Sequence, residues 1–274
     1  MLSFLNSSYG IHKDIDALKQ VPITERGNRS DRWAGINHGE FVELMQNAIK
    51  DLFGWTAADE QYAVSPSGAI LIGAFHINDA ADKPIGVTDA ALERDNVLYS
   101  MGFAHGNDSS KSMQCAAGGT VMVCQNGICA GDHQWPKRKH TTGNVAVDTL
   151  VEWFREGLKT FASSLQSLEE RMNVLRSTPL DGIGGAKIFD GVLLKLARTK
   201  VIPWRLCGLI DEEWIKSRDA VLHPFHERDG WSAYNCCTEV VKRMPVRGQF
   251  TAMQNCFTAL ESAHGIEPLN SIAL

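Results

Sequence analysis

Four residues near the middle of the chain have the types that bind a metal ion. Cys124, Cys129, His133 and His140 are spaced C-x4-C-x3-H-x6-H, and zinc takes thiolate and imidazole ligands that converge as a tetrahedron. The same stretch, VMVCQNGICAGDHQWPKRKHTTG from Val121 to Gly143, could instead hold a polyanion. Lys137, Arg138, Lys139 and His140 crowd ahead of a long helical pattern, with Thr141, Thr142 and Asn144 as candidate caps. A helix start offers unsatisfied N–H groups and a positive dipole end, and Trp135 supplies a flat ring on which a base can stack. Against the metal stands Asn126-Gly127, a tight-turn signal that makes Cys124 and Cys129 cross-strand neighbours. Small thiols in a strand usually belong to a core. Against the polyanion stands the ordinary fate of a charge run, a solvated loop.

Other groups are weaker. In FAHGNDSSKSM, His105, Asn107, Asp108, Ser109, Ser110 and Lys111 follow a strand pattern. His105 with Asp108 suits general acid–base chemistry, and Lys111 extends the basic strip, but such a stretch also makes a plain turn. His223 and His226 in HPFHERDGW lack the H-E-x-x-H spacing, and Pro224 opposes a regular helix there. Cys236 and Cys237 are adjacent, and on a helix they point apart. GIGG at Gly182–Gly185 lacks the strand–turn–helix setting of a dinucleotide fingerprint, and neither a Walker loop nor a nucleophile elbow occurs. No residue is assigned a catalytic role and no cofactor is expected; the chain leans away from being an enzyme.

The elements that must position these residues follow from periodicity. Phe41, Leu44, Met45, Ala48, Ile49 and Leu52 recur at helical spacing and Gly54 sits at a helix stop. Two apolar runs flank Ser65-Pro66-Ser67-Gly68, which reads as a hairpin. NVLYSMGFAHGN is a third strand, and SMQCAAGGTVMVCQNGICAG holds one or two more. From about Val145 to Arg176 one stripe runs through Val147, Leu150, Val151, Phe154, Leu158, Phe161, Leu165 and Leu168, predicting a long helix. STPLDGIGG breaks it, and helices are predicted over Ala186–Thr199, Asp211–Ala220, Trp231–Arg243 and Phe250–Ser262. The fold expected is α+β: one helix, a mainly antiparallel sheet in the N-terminal half, a long helix, then a helical C-terminal half. Residues 1–32 read as a polar arm with little structure of its own. Residues 33–176 form the core with the long helix, and 177–274 a helical region packed on it.

Composition narrows the classes. Of 274 residues, 44% are hydrophobic and 22% charged, enough for one large domain or two modest ones. A net charge of -5 with a pI near 6.0 is unlike a strongly basic DNA binder, although a local basic strip can act within an acidic protein. No run is apolar enough to span a bilayer, and the first residues lack the pattern of a signal peptide. A soluble, cytoplasmic protein is expected. Seven cysteines, an odd number, occur at Cys115, Cys124, Cys129, Cys207, Cys236, Cys237 and Cys256; free thiols in a reducing compartment are the simpler reading.

The chain resembles the phage/plasmid-like protein family, a domain of unknown function found in phages and other mobile elements. The likeness rests on Val123, Cys124 and Asn126 in a strand; on Arg138, His140 and Thr141; and on Trp231, Asn235, Thr238 and Glu239 in a late helix. The loop GNDSSKS lacks the histidine and glycine of the family's pattern. The resemblance extends from about Val97 onward. The order of elements is also similar, in architecture only, to phage single-strand annealing proteins. The family resemblance implies a mobile-element protein in a bacterial host's cytoplasm, and the basic cluster in an otherwise acidic chain, with the architectural analogy, leads to the expectation that it binds single-stranded nucleic acid as a homo-oligomer, in annealing or recombination. Lys137, Arg138, Lys139, His140, Trp135 and Lys111 would form its strip. Two alternatives remain: a factor that binds a host or phage protein, such as an antagonist of host defence, and an enzyme acting on a nucleotide or phosphorylated small molecule, with Asp108, His105 and His140 as acid–base groups.

Overall fold

Local chemistry sets the first long helix. The computed structural model describes residues 10–12, 14–23, 34–85, 97–108, 112–121, 133–135, 137–139, 147–219, 226–244 and 246–263. The chain divides into two units, Met1–Leu165 and Gln166–Leu274. In the first, helix α1 is Ile15–Lys19 and α2 is His38–Phe53. Asn37 opens α2 with a capping box: its side-chain oxygen accepts from Gly39 N at 2.7 Å, and Glu40 accepts from Asn37 N. Gly54, at φ 68°, closes it in the left-handed conformation that glycine adopts without cost. Between these stops Phe41, Val42, Met45, Ala48 and Ile49 are buried.

The sheet is an antiparallel meander of β1 (Gly10–His12), β2 (Thr56–Val64), β3 (Ile70–Asn78), β4 (Val97–Gly106), β5 (Gln114–Val121) and β6 (His133–Gln134), in that spatial order. The Ser-Pro-Ser-Gly turn joins β2 to β3 as expected, with Gly68 at φ 71°. A bulge interrupts the β2–β3 register between Ala58 and Gln61, and Asp59 there takes φ 49°. One face presents Phe75, Tyr99, Met101, Phe103 and His105. Helix α2 lies on it through Phe41, whose ring is 5.9 Å from Phe103. Helix α3 (Val147–Ser177) meets the same face: Phe161 stands edge-on to Tyr99 at 6.0 Å, and the Tyr99 hydroxyl donates to Leu165 O. The opposite face carries Ile72 together with small or polar residues, Ala74, Gly102, Ala116 and the pair His76 and Ser100, all buried.

The expected α+β class and element order are therefore present. The N-terminal arm differs from expectation. Among its described residues, Gly10–His12 pairs with β2, and α1 docks on α2. Asn37 Nδ2 donates to Lys19 O and Val21 O, and a Cβ at Gly39 would collide with Lys19. These ties are tertiary, so no local pattern announces them. The boundary between units also falls inside α3, not at STPLDGIGG.

In the second unit, α4 (Gly182–Arg198), α5 (Trp204–Asp219), α6 (Gly230–Val241) and α7 (Val246–Ala263) join the C-terminal half of α3. Helix α6 is buried at every position but Glu239, which pairs with Lys242 at 2.6 Å. A helix buried on nearly every side sits at the centre of a bundle, and Tyr234 packs edge-on to Phe257 at 5.0 Å. Trp231, Asn235 and Thr238 of the family-like motif are thus core residues. Arg171 and Glu261 form a buried ion pair, with Nη2 donating to Oε2 at 2.5 Å and Arg171 lying over Phe257. Two parallel bonds offset the desolvation of both charges. Helix α5 begins earlier than expected because Pro203 supplies the first carbonyl, accepting from Leu206 N and Cys207 N. No described helix is long and apolar enough to cross a membrane.

Cys115, Cys207, Cys236, Cys237 and Cys256 are free and buried. Burial pushes the Cys115 and Cys236 thiols well up; for Cys237 the hydrogen bond with Cys256 comes first and burial second.

Candidate functional site

The basic strip can be built from its backbone. Arg138 is bridged to Met113: Met113 N donates to Arg138 O at 2.8 Å and Arg138 N to Met113 O at 3.2 Å. Residues 137–139 are therefore pinned beside β5 and do not form a free loop. Alternation then turns Lys137 and Lys139 out as exposed cations and leaves Arg138 half-buried. Among the described residues neither lysine has an ion pair. Arg138 lines a groove of about 630 Å³ with Asp148, Glu152, Trp153 and Glu156 of α3. This groove is acidic, and the hydrogen bond from the Lys159 ammonium at 2.9 Å lowers the pKa of the Glu156 carboxyl. Lys111 and His140 lie outside the described residues.

Trp135 requires a correction. It is 3% exposed, stacked on Phe154 at 5.7 Å, and its indole N–H donates to Phe154 O at 3.2 Å. Gly157 makes room, since a Cβ there would overlap the indole. The ring has no face to offer a base. It anchors the strip to α3 instead.

The metal constellation is not assembled among the described residues. Cys124, Cys129 and His140 lie outside them, as does the Asn126-Gly127 turn. His133 opens β6 opposite Ala117, with its side chain outside the description. Among the described residues no group of three or more potential ligands converges.

His105 proves to have a partner that sequence reasoning missed. His38, in the first turn of α2, places Nδ1 2.6 Å from Nδ1 of His105, and its Nε2 lies 3.0 Å from Gly68 O. A carbonyl only accepts, so His38 Nε2 holds a proton and donates. In the neutral ring Nδ1 then accepts, so His105 donates from Nδ1 and its basic nitrogen is Nε2. Phe41 stacks on His105 at 4.4 Å and 9°, and both imidazoles are 0% exposed. Asn107 continues the closure, donating from N to Ala69 O and from Nδ2 to Pro22 O. The relay clamps the start of α2 to the β2–β3 turn and the end of β4. Asp108 is buried at the same strand end, so the acid–base pair expected from type sits inside the protein. The available signal was NHGE: a histidine in the first turn behind a capping residue sits where the helix meets the sheet.

No protein-family model matches the chain, and no curated protein or solved structure does.

Proposed function

We propose that the protein binds single-stranded nucleic acid through exposed cations, and that several copies act together, as in annealing. The observation that supports this reading is the outward pair Lys137 and Lys139, whose backbone is pinned by the Arg138–Met113 bridge and which have no acidic partners among the described residues. With the backbone already pinned, only side-chain freedom is lost when the ammonium groups meet phosphates. Each contact releases counterions, with a salt slope of about 0.7 per phosphate for a single strand. Two lysines bind weakly, which is why more than one copy belongs to the proposal. The motif likeness to a mobile-element family fits such a role and a bacterial cytoplasm. The test is fluorescence anisotropy of a labelled oligothymidine against salt. Lys137→Ala with Lys139→Ala should weaken binding at low salt and flatten the slope by about 1.4. A slope identical to that of the parent chain excludes the strip.

A further inference from the structure

We propose that the corner between α4 and α5 is a second binding tract for a single-stranded polynucleotide; the ligand class rests on the reading above, but the residues do not. From Gly191 to Ile210 the chain has no acidic residue and four cations, Lys195, Arg198, Lys200 and Arg205. All four are exposed, as is Lys187. Among the described residues none has an ion pair, whereas Arg171 and Lys242 of the same unit are paired. Among them Trp204 is 62% exposed, a large ring left in water at the first turn of a helix.

The spacing makes a track. Lys187, Gly191, Lys195 and Arg198 follow one another by four, four and three residues, so they share a helix face about 16 Å long. Lys187, Gly191 and Lys195 also wall a groove of about 320 Å³, whose other side is Ala259, Ser262 and Ala263 of α7. Gly191 has open space where a Cβ would stand, so nothing blocks the track midway. Asp190 is the one carboxylate within α4.

Local stability explains only some of these choices. Lys195 and Arg198 suit the negative end of α4. Arg205, in the first turn of α5, faces the positive end of that helix and is disfavoured there. Exposing Trp204 forgoes the burial that a large ring usually gains. Lys187 and Lys195 on a groove, Arg198 further along the same helix face, and an exposed indole six residues on at the start of α5 supply the two elements that a single strand needs, cations for its phosphates and a ring for a base. A lipid surface is flat and would engage a protruding face, not a groove.

The experiment uses the full chain and a fluorescein-labelled 20-mer oligothymidine, with phosphatidylserine-containing vesicles as the second probe. Trp204→Ala should weaken oligonucleotide binding about tenfold, and the triple change Lys195→Ala, Arg198→Ala, Lys200→Ala should flatten the salt slope by about 2. Far-UV circular dichroism should be unchanged in both, because the altered side chains are exposed. Parental binding in both variants, with loss in the Lys137→Ala, Lys139→Ala variant, overturns the tract and leaves the strip standing. No oligonucleotide binding by the parent chain overturns both. Vesicle binding that needs Trp204, without oligonucleotide binding, overturns the tract in favour of a membrane surface.

Discussion

His76 shows how one buried side chain ties stability to pH. Its ring is 2% exposed, and Nδ1 lies 2.6 Å from Ser100 Oγ. Burial lowers its pKa below the ordinary 6.5, against a smaller upward pull from Asp59. Above pH 6.5 the ring is neutral in folded and unfolded chains alike, and it adds no pH dependence. Below 6.5 the unfolded chain takes up the proton first, so stability falls until the folded ring also titrates. The slope is at most about 1.4 kcal/mol per pH unit. Urea unfolding at pH 7.5 and pH 5.5 measures it. The loss on acidification should be smaller in His76→Asn, and an equal loss would mean that other groups set the dependence.

Among elements, α3 and α5 offer a contrast of two glycines. Alanine normally favours a helix over glycine by about 1 kcal/mol. At Gly208, exposed in α5 with nothing near a Cβ, Gly208→Ala should raise the melting temperature. At Gly157 the same change drives a methyl into the Trp135 indole, and overpacking of this kind costs about 1–3 kcal/mol. Gly157→Ala should therefore lower the melting temperature, and a rise would mean that Trp135 is not seated as described. The contrast also marks how far the sequence is legible. Helix α2 could be read because its stripe and stop are local, and the β2–β3 hairpin because its turn residues declare it. Helix α3 was found from its period. The seat of Trp135 was hidden because it depends on a glycine in a different element, and β1 and α1 because their partners are tertiary. The His38–His105 contact joins residues far apart in sequence, so its chemistry appears only when α2 docks on the sheet.

For the molecule as a whole, net charge and local charge point in opposite directions. The chain carries -5 overall, which repels a polyanion at long range, while Lys137, Lys139 and the α4–α5 corner attract one within a screening length of about 10 Å at moderate salt. Association should therefore be slow to start and strengthened by neighbours once begun. Light scattering should give complexes with more than one 30.2 kDa chain per long oligonucleotide at low salt. A constant single chain per oligonucleotide would remove the multi-copy part of the proposal.

The sealed thiols give the folded chain an internal clock. Cys115 is enclosed in the sheet unit, and Cys236, Cys237 and Cys256 in the helical one. An alkylating reagent reaches a sealed sulfur only when the surrounding structure opens. The mass gained at each position over time therefore dates the opening of each half separately, with no engineered probe.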